Sequence, residues 1–285
     1  MADQPVSDAA PEVLRPYTGP HVFGPAYGRM YENDSHAPGS VDRVLLERMI
    51  RICAATIPFL YPARAPSLPA YRRGSRPVLE AAAAEATGDT ATDEEKTSAI
   101  ARFTASLAQK VAAVGLDDML FGGTEEQILA RGSDWCTDVA RLGCVLYQVL
   151  GFPCRIVFLA NLKQAYSGHA IVEVHWGSGW GAVDTSTGVV YRSDLRGPVS
   201  VRELMEHPVL VERHQSPQAA YTTAAQFSAA AIANYGVWEA GRYDFSISKV
   251  NSYCRYILAQ AMSGWPGGLR WLHGEEAEAP TAGTP

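Results

Sequence analysis

The hydrophobic positions in the middle of the chain change their period near residue 151. Between residues 136 and 150 they are spaced for one buried face of a helix, and Gly151 followed by Pro153 predicts that this helix ends there. Beyond it, β-type runs lie at residues 155–159, 170–176 and 180–183. Gly177-Ser178-Gly179 between the last two runs is typical of a hairpin turn. The pattern therefore predicts a helix followed by three strands, of which the last two pair antiparallel.

Weaker patterns on both sides divide the chain into four predicted parts. Apolar or Ala-rich stretches predict further helices at residues 41–60, 77–86, 92–114, 218–235 and 247–262. Ser40 can cap the first of these helices, Thr92 and Glu95 have the spacing of a capping box, and residues 115–131 are predicted as a loop with a short helical turn. The predicted parts are a loose N-terminal arm (1–40), a core with its preceding helices (41–190), a helical C-terminal extension packed on the core (191–273) and a disordered tail (274–285).

Charge and composition exclude several classes of partner. The chain has 285 residues and a formal net charge of −6, whereas a nucleic-acid binder needs clustered Lys and Arg. No apolar run is long enough to span a membrane, and the first residues lack the pattern of a secretory signal. We therefore expect a cytoplasmic protein with neither a nucleic-acid nor a membrane partner.

The cysteines do not have the spacing of a structural framework. The five cysteines are widely spread, without a C-x-x-C pair, at positions 53, 136, 144, 154 and 254. This is the pattern of neither a disulfide framework nor a zinc site. At least one thiol is therefore expected to be free for another reason.

Cys136 lies at the predicted start of the central helix. The unpaired N–H groups at a helix start and the positive end of its dipole favour an anion, which here is the nucleophilic thiolate. The same N–H groups can stabilise the oxyanion of a tetrahedral intermediate. Taken alone, Cys136 is at least equally compatible with a small buried hydrophobic residue, as most cysteines are.

His169 and Asp184 turn this position into a candidate site. His169 lies 33 residues after Cys136, at the mouth of a predicted strand, which leaves room for the chain to return to the helix start. Asp184 lies 15 residues further on, at the end of the next strand, and these two positions share one end of an antiparallel hairpin. An imidazole can activate a thiol, and a carboxylate can hold the imidazole's tautomer and charge. Taken alone, Asp184 is equally compatible with a turn residue that caps residues 185–188, so the prediction depends on the joint placement.

The residues around these positions resemble the motifs of a known family. The strings are Gly132-x-x-x-Cys136-Thr137-Asp138-x-Ala140-x-Leu142, Leu150-Gly151-Phe152-Pro153-Cys154-Arg155-Ile156-Val157, Gly168-His169-Ala170-x-Val172-Glu173-Val174 and Gly179-Trp180-x-x-Val183-Asp184. They look like the nucleophile, histidine and aspartate segments of transglutaminase-like proteins. The resemblance covers about residues 78–190. Cys154 departs from it, because a small residue such as Ala is usual there, and we interpret this cysteine as buried packing.

The resemblance implies a papain-like α+β core, in which the nucleophile helix packs on an antiparallel sheet and Cys136, His169 and Asp184 form a triad. It implies chemistry through a thioester on a small-molecule, peptide or carrier-protein-bound acyl substrate. We interpret the chain as an acyltransferase that forms or exchanges an amide. A cysteine peptidase or amidase and a non-catalytic binding module that keeps the fold are the alternatives. No calcium-binding loop is apparent, and Cys136 and His169 lack further ligands at metal spacing, so no metal or cofactor is predicted.

Several other residues are weaker candidates for the site. Glu173 shares a strand face with His169 by alternation and is the second choice for the triad acid. Asp138 is expected to stabilise the helix start, and His175 to be a paired or core histidine. Trp135 and an aromatic cluster are expected to pack in the core rather than line a substrate groove; the cluster consists of Tyr235, Trp238, Tyr243 and Phe245.

Overall fold

The computed structural model describes residues 18–19, 21–24, 39–109, 118–162, 168–193, 197–214 and 222–249. The predicted disordered tail lies outside these residues, as does most of the predicted N-terminal arm. None of the helices in these stretches is long and apolar enough to cross a membrane.

The described residues form both helices and strands, with most of the longer helices before the central strands. The helices are α1 (Val41–Glu47), α2 (Ile57–Leu60), α3 (Pro77–Thr87), α4 (Asp93–Gln109), α5 (Glu125–Arg131), α6 (Cys136–Val149), α7 (Val201–Glu206) and α8 (Val209–Arg213), with 3-10 turns at Ala224–Ser228 and Val237–Glu239. The strands are β1 (Ile50–Arg51), β2 (Leu120–Phe121), β3 (Cys154–Ala160), β4 (His169–Trp176), β5 (Gly179–Asp184), β6 (Val189–Val190), β7 (Arg192–Ser193), β8 (Gly197–Pro198), β9 (Ala229–Ala233) and β10 (Ser248–Lys249).

Six strands form one antiparallel sheet in the order β1-β9-β3-β4-β5-β6. Trp176 pairs with Gly179, so the hairpin turn predicted at Gly177-Ser178-Gly179 has Gly177 and Ser178 as its two loop residues. Gly177 has a φ of 57°, the left-handed conformation that such turns require and that glycine adopts without strain. The α+β class predicted from the sequence is confirmed.

The sheet is buried on both faces because its strands alternate between two apolar cores. On one face, Ala170, Val172 and Val174 of β4 pack against α6 in the larger core. On the other face, Ile171 belongs to a second core that includes residues of α7 and Phe227. Each fully buried aliphatic side chain contributes about 1.5–3 kcal/mol relative to exposure. The helix predicted for residues 136–150 is thereby fixed on the sheet as a buried element.

The predicted helix caps are confirmed by hydrogen bonds. Ser40 Oγ accepts from Arg43 N at the start of α1. Thr92 and Glu95 bond reciprocally before α4, with Glu95 N donating to Thr92 Oγ1 and Thr92 N to Glu95 Oε2. The predicted short turn before residue 131 is a full helix, α5, which begins with a capping box between Thr124 and Gln127.

The helix predicted for residues 41–60 is wrong in its middle, because the helical conformation stops at Glu47 and returns only at Ile57–Leu60. α1 ends at Glu47, and Ile50 and Arg51 pair with Ile232 and Ala231 of β9. The backbone pairing of Ile50 and Arg51 with β9 outweighs the helical spacing of the apolar residues in this stretch.

The helix predicted within residues 218–235 is also wrong. Ala229–Ala233 is a fully buried strand between β1 and β3, and of residues 222–235, which the structure describes, only the 3-10 turn before the strand is helical. Alanine prefers a helix in isolation, but its small side chain also allows close packing on both faces of a sheet, and here the tertiary pairing decides. Of the stripe predicted for residues 247–262, Ser248–Lys249 is a strand and the residues from 250 onward lie outside the described ones.

Candidate active site

Cys136 is the first residue of α6, and its side chain is partly exposed. The preceding residue, Trp135, makes no side-chain capping bond to the first turn, so the positive end of the helix remains directed at Cys136. The Trp135 ring lies 5.3 Å from that of Phe121, centroid to centroid. The helix start is therefore suited to hold a thiolate and, later, an oxyanion.

The loop before Cys136 is braced by the buried carboxylate of Asp138. This carboxylate accepts from Gly122 N at 3.0 Å, from Arg131 Nη2 at 3.0 Å and from Ser133 Oγ at 3.2 Å. Ser133 Oγ in turn accepts from Trp135 N at 3.1 Å. Burial raises the pKa of Asp138 to about 7, against the opposing charge of the Arg141 guanidinium. Asp138 thus positions the nucleophile loop, in addition to its predicted place in the first turn of the helix.

His169 and Asp184 are in contact at one end of the sheet. Nε2 of His169 lies 3.1 Å from Oδ2 of Asp184, and both side chains are buried. The contact follows from the β4–β5 register, in which the first residue of one strand and the last residue of the other lie at the same sheet end. With Nε2 on the carboxylate, Nδ1 is the ring nitrogen that remains for the thiol of Cys136.

The two oxygens of Asp184 have separate partners. Oδ1 accepts from Ser186 N at 3.0 Å and from Thr187 N at 3.3 Å, while Oδ2 contacts His169. Oδ2 also accepts from Thr222 Oγ1 at 2.7 Å. One oxygen of Asp184 therefore caps the turn, and the other contacts the histidine, as both interpretations of this residue require.

The charges at this site favour a protonated imidazole. Burial lowers the pKa of His169, but the Asp184 carboxylate and hydrogen bonds with Asp184 and Cys136 outweigh it and raise the pKa to about 10. Burial likewise raises the pKa of Asp184, yet the imidazole and Thr222 keep it below its usual value. An imidazolium beside the sulfur favours the thiolate by direct charge attraction.

Glu173 is not positioned to replace Asp184, so its interpretation as the second choice is wrong. Its carboxylate accepts from Arg155 Nη2 at 2.6 Å, from Tyr61 Oη at 2.9 Å and from Val201 N at 2.7 Å. The Arg155 guanidinium is stacked 3.9 Å from the Trp180 ring centroid and 4.6 Å from that of Tyr61. The sequence indicated which face of the strand Glu173 lies on, but it did not indicate that residues from distant segments bind its carboxylate.

The remaining candidates divide between packing and surface. The half-buried His175 lies edge-on to Trp180 at 5.5 Å, and Cys154 is buried as interpreted. Within the aromatic cluster, Tyr235 is buried and donates to Glu125, whereas Trp238 is 48% exposed. Among the described residues, no group of three or more His, Cys, Asp or Glu side chains could hold a metal ion.

Thr222 is the polar neighbour of the site that the sequence did not reveal. It lies 38 residues after Asp184, within a stretch predicted to be helical, and no motif marks it. Only the position of β9, seven residues further on, shows that the chain returns to this end of the sheet.

Residues 80–185 match the family model of the transglutaminase-like superfamily. The match extends from within α3 to the residue after β5 and includes the positions of Cys136, His169 and Asp184. The resemblance predicted from the sequence is confirmed over these residues. No curated protein and no solved structure gave a match to the chain. Thr222 and β9 lie outside the matched segment.

Proposed function

We propose that this chain is a cysteine acyltransferase that forms or exchanges an amide through a thioester on Cys136. The observation that supports it best is the contact between His169 and Asp184, at the sheet end where Cys136 begins α6. The substrate in the proposal is a small or carrier-bound acyl group, and the acceptor is an amine. A reducing, cytoplasmic compartment suits this chemistry because Cys136 has to remain a free thiol.

In the acylation step, the Cys136 thiolate attacks the acyl carbonyl of an amide or thioester. A carbon–sulfur bond forms to the enzyme, and the negative charge passes to the carbonyl oxygen, which the N–H groups at the start of α6 stabilise. The intermediate collapses with loss of an amine or thiol, and His169 gives its Nδ1 proton to that leaving group. Asp184 keeps Nε2 protonated and stabilises the ring charge before transfer.

In the second step an amine attacks the thioester. His169 takes the proton of the attacking nitrogen, the carbon–sulfur bond breaks and Cys136 leaves as the thiolate. Water in place of the amine would make the same site a peptidase or amidase. The identity of the acceptor therefore separates the transferase from the hydrolase.

The first part of the test needs no substrate. Iodoacetamide at pH 6 should alkylate Cys136 at least about tenfold faster than Cys53, with the modified positions identified by peptide mass spectrometry. Cys53 is a matched internal control because it is a free, partly exposed thiol that is hydrogen-bonded to Thr56 rather than to a histidine. Equal rates at the two positions would indicate a non-catalytic module.

The second part measures transfer. The protein and its Cys136→Ala variant are incubated with a panel of amide and thioester donors, with and without a primary amine, and followed by intact-protein mass. We expect an acyl adduct on the parent protein alone and an amide product that increases with amine concentration. A product distribution that added amine leaves unchanged would identify a hydrolase instead.

A further inference from the structure

We propose that Thr222 is a positioning residue of the triad, whose hydroxyl holds the Asp184 carboxylate in line with Nε2 of His169. The inference rests on the proposed function and extends it to a residue outside the matched segment. It assigns part of the site to the C-terminal flank of the chain.

The hydrogen bond has the geometry and the surroundings that this role requires. Thr222 Oγ1 lies 2.7 Å from Asp184 Oδ2, and the two residues are 1% and 0% exposed. A hydrogen bond to a buried ionised oxygen is stronger than one between neutral groups, because water does not compete for it. Thr222 therefore acts on the charged form of Asp184.

The carboxylate is constrained from both of its oxygens. The backbone amides of Ser186 and Thr187 hold Oδ1. With Oδ1 held, the remaining freedom of the side chain is rotation about the Cβ–Cγ bond. Thr222 holds Oδ2, the oxygen that faces His169, and so removes this freedom. Without the hydroxyl, Oδ2 would depend on the imidazole alone for its orientation.

Thr222 is itself held in place by the segment that follows it. Thr223 N donates to Gln226 Oε1 at 2.8 Å and begins the 3-10 turn Ala224–Ser228. That turn leads directly into β9, which pairs with β3 over five positions, from Ala160↔Ala229 to Ile156↔Ala233. The hydroxyl is thus tied to the central strands of the sheet rather than to a free loop.

Among the described residues, the titratable groups that act on the His169–Asp184 pair include Cys136 and Tyr191. His169 faces Asp184 and Cys136, and Asp184 also faces Tyr191, whose pKa is raised by burial and by that carboxylate. Asp138, two residues after Cys136, keeps its partners Gly122, Arg131 and Ser133 in the variants described below, because none of these residues is changed. A change in pH profile on altering Thr222 therefore reports on the His169–Asp184 pair.

The test compares Thr222→Val, which keeps the shape and removes the hydroxyl, with Thr222→Ser, which keeps the hydroxyl. Thr97→Val is the matched control, because Thr97 is also fully buried but its hydroxyl donates to the backbone oxygen of Asp93 within α4. The readout is the rate of Cys136 alkylation by iodoacetamide from pH 4 to 9, together with kcat and KM for any donor that the transfer assay identifies.

We expect Thr222→Val to lower the alkylation rate at pH 6 about tenfold and to move the midpoint of the profile to higher pH, since a less well-oriented carboxylate supports the imidazolium less. kcat should fall while KM stays within about twofold, because Thr222 does not contact the substrate. Thr222→Ser should return the profile to within about twofold of the parent, and Thr97→Val should coincide with the parent. A Thr222→Val profile that coincides with the parent, or a Thr222→Ser profile as impaired as that of Thr222→Val, overturns the proposal.

A second measurement keeps this result distinct from failure of the proposed function. The Nε2 proton of His169, shared with Asp184, should give a downfield NMR resonance in the parent that broadens or disappears in Thr222→Val and persists in Thr222→Ser. If Cys136 of the parent is unreactive, the proposed function fails, and the resonance alone then decides the role of Thr222. If Thr222→Val does not fold, Thr222→Ala takes its place in both measurements.

Discussion

At the residue scale, Asp184 combines two roles that sequence patterns present as alternatives. The order and spacing of His169 and Asp184 sufficed to predict that these two side chains meet, because each lies at the end of a strongly patterned strand. Thr222 could not be predicted, since its approach depends on a crossover whose length and direction leave no local signal. The contact between His169 and Asp184 follows from local hairpin geometry, whereas the contact between Thr222 and Asp184 joins residues 38 positions apart in the sequence.

Asp184→Asn tests the charge of the triad acid at nearly constant volume. The pKa of His169, about 10 in the parent, should fall toward its usual value or below it, because burial is then opposed by Cys136 alone. Alkylation of Cys136 at pH 6 should decrease by a factor of about 100 or more, since the imidazolium that supports the thiolate is lost. NMR titration of His169 and iodoacetamide kinetics measure the two effects.

Asp184→Asn should also lower the free energy of unfolding, by an amount that depends on pH. The lowered pKa of Asp184 stabilises the fold above the unfolded value of about 4, and that stability is lost as the pH falls. The raised pKa of His169 stabilises the fold below its unfolded value of about 6.5, and that stability is lost as the pH rises through about 10. Urea denaturation should therefore show the largest difference between parent and variant at about pH 4–6.5 and a smaller one at pH 10. Asp118→Asn, at an exposed pair with Lys249, serves as the control, and its stability should differ little from that of the parent at any pH. A stability difference between the parent and Asp184→Asn that grows toward pH 10 would contradict the pairing of a charged His169 with Asp184.

At the element scale, β9 shows where helix propensity misleads. The central hairpin was predictable because two β-type runs, the Gly177-Ser178-Gly179 turn between them and the flanking breakers all agree. The run Ala229–Ala233 has no alternation, since all five side chains are apolar and buried on one face or the other. Its strand conformation comes from the ladders of β1 and β3, which lie far away in the sequence.

Ala231→Asp and Ala225→Asp form a matched pair that tests this placement. Ala231 is fully buried and pairs with Phe158 of β3, whereas Ala225, in the 3-10 turn that leads into β9, is exposed. Ala231→Asp should lower the free energy of unfolding by more than about 3 kcal/mol, because it buries an unpaired carboxylate. Ala225→Asp should stay within about 0.5 kcal/mol of the parent. Chemical denaturation measures both, and similar values for the pair would place residue 231 on the surface.

At the scale of the whole molecule, Glu173 joins three regions of the chain. Its carboxylate connects Tyr61 of the N-terminal flank, Arg155 of the core and Val201 of the C-terminal flank. Within the described residues, both flanks are therefore bonded to the matched segment, at Tyr61 and at Val201. The division into a core (41–190) and a C-terminal extension packed on it (191–273) stays a prediction.

Glu173→Gln should destabilise the fold without altering the reactivity of Cys136. Loss of the charge leaves the buried Arg155 guanidinium without its anion, at a cost of about 3–5 kcal/mol. The pH profile of Cys136 alkylation, recorded well below the melting temperature, should match that of the parent, because Glu173 does not touch His169. The double variant Arg155→Met/Glu173→Met should recover part of the lost stability. A shifted alkylation profile in Glu173→Gln would return this residue to the triad.

The interior position of β9 also has a consequence for synthesis on the ribosome. Ala229 emerges 44 residues after the end of the family match, which at about 5–20 residues per second is a delay of roughly 2–9 s. During that interval the edge of β3 that later pairs with β9 has no partner strand from this chain. Such an unpaired strand edge can pair with neighbouring chains. Because Thr222 is synthesised on the same late segment, its hydrogen bond to Asp184 can form only after this segment has been synthesised.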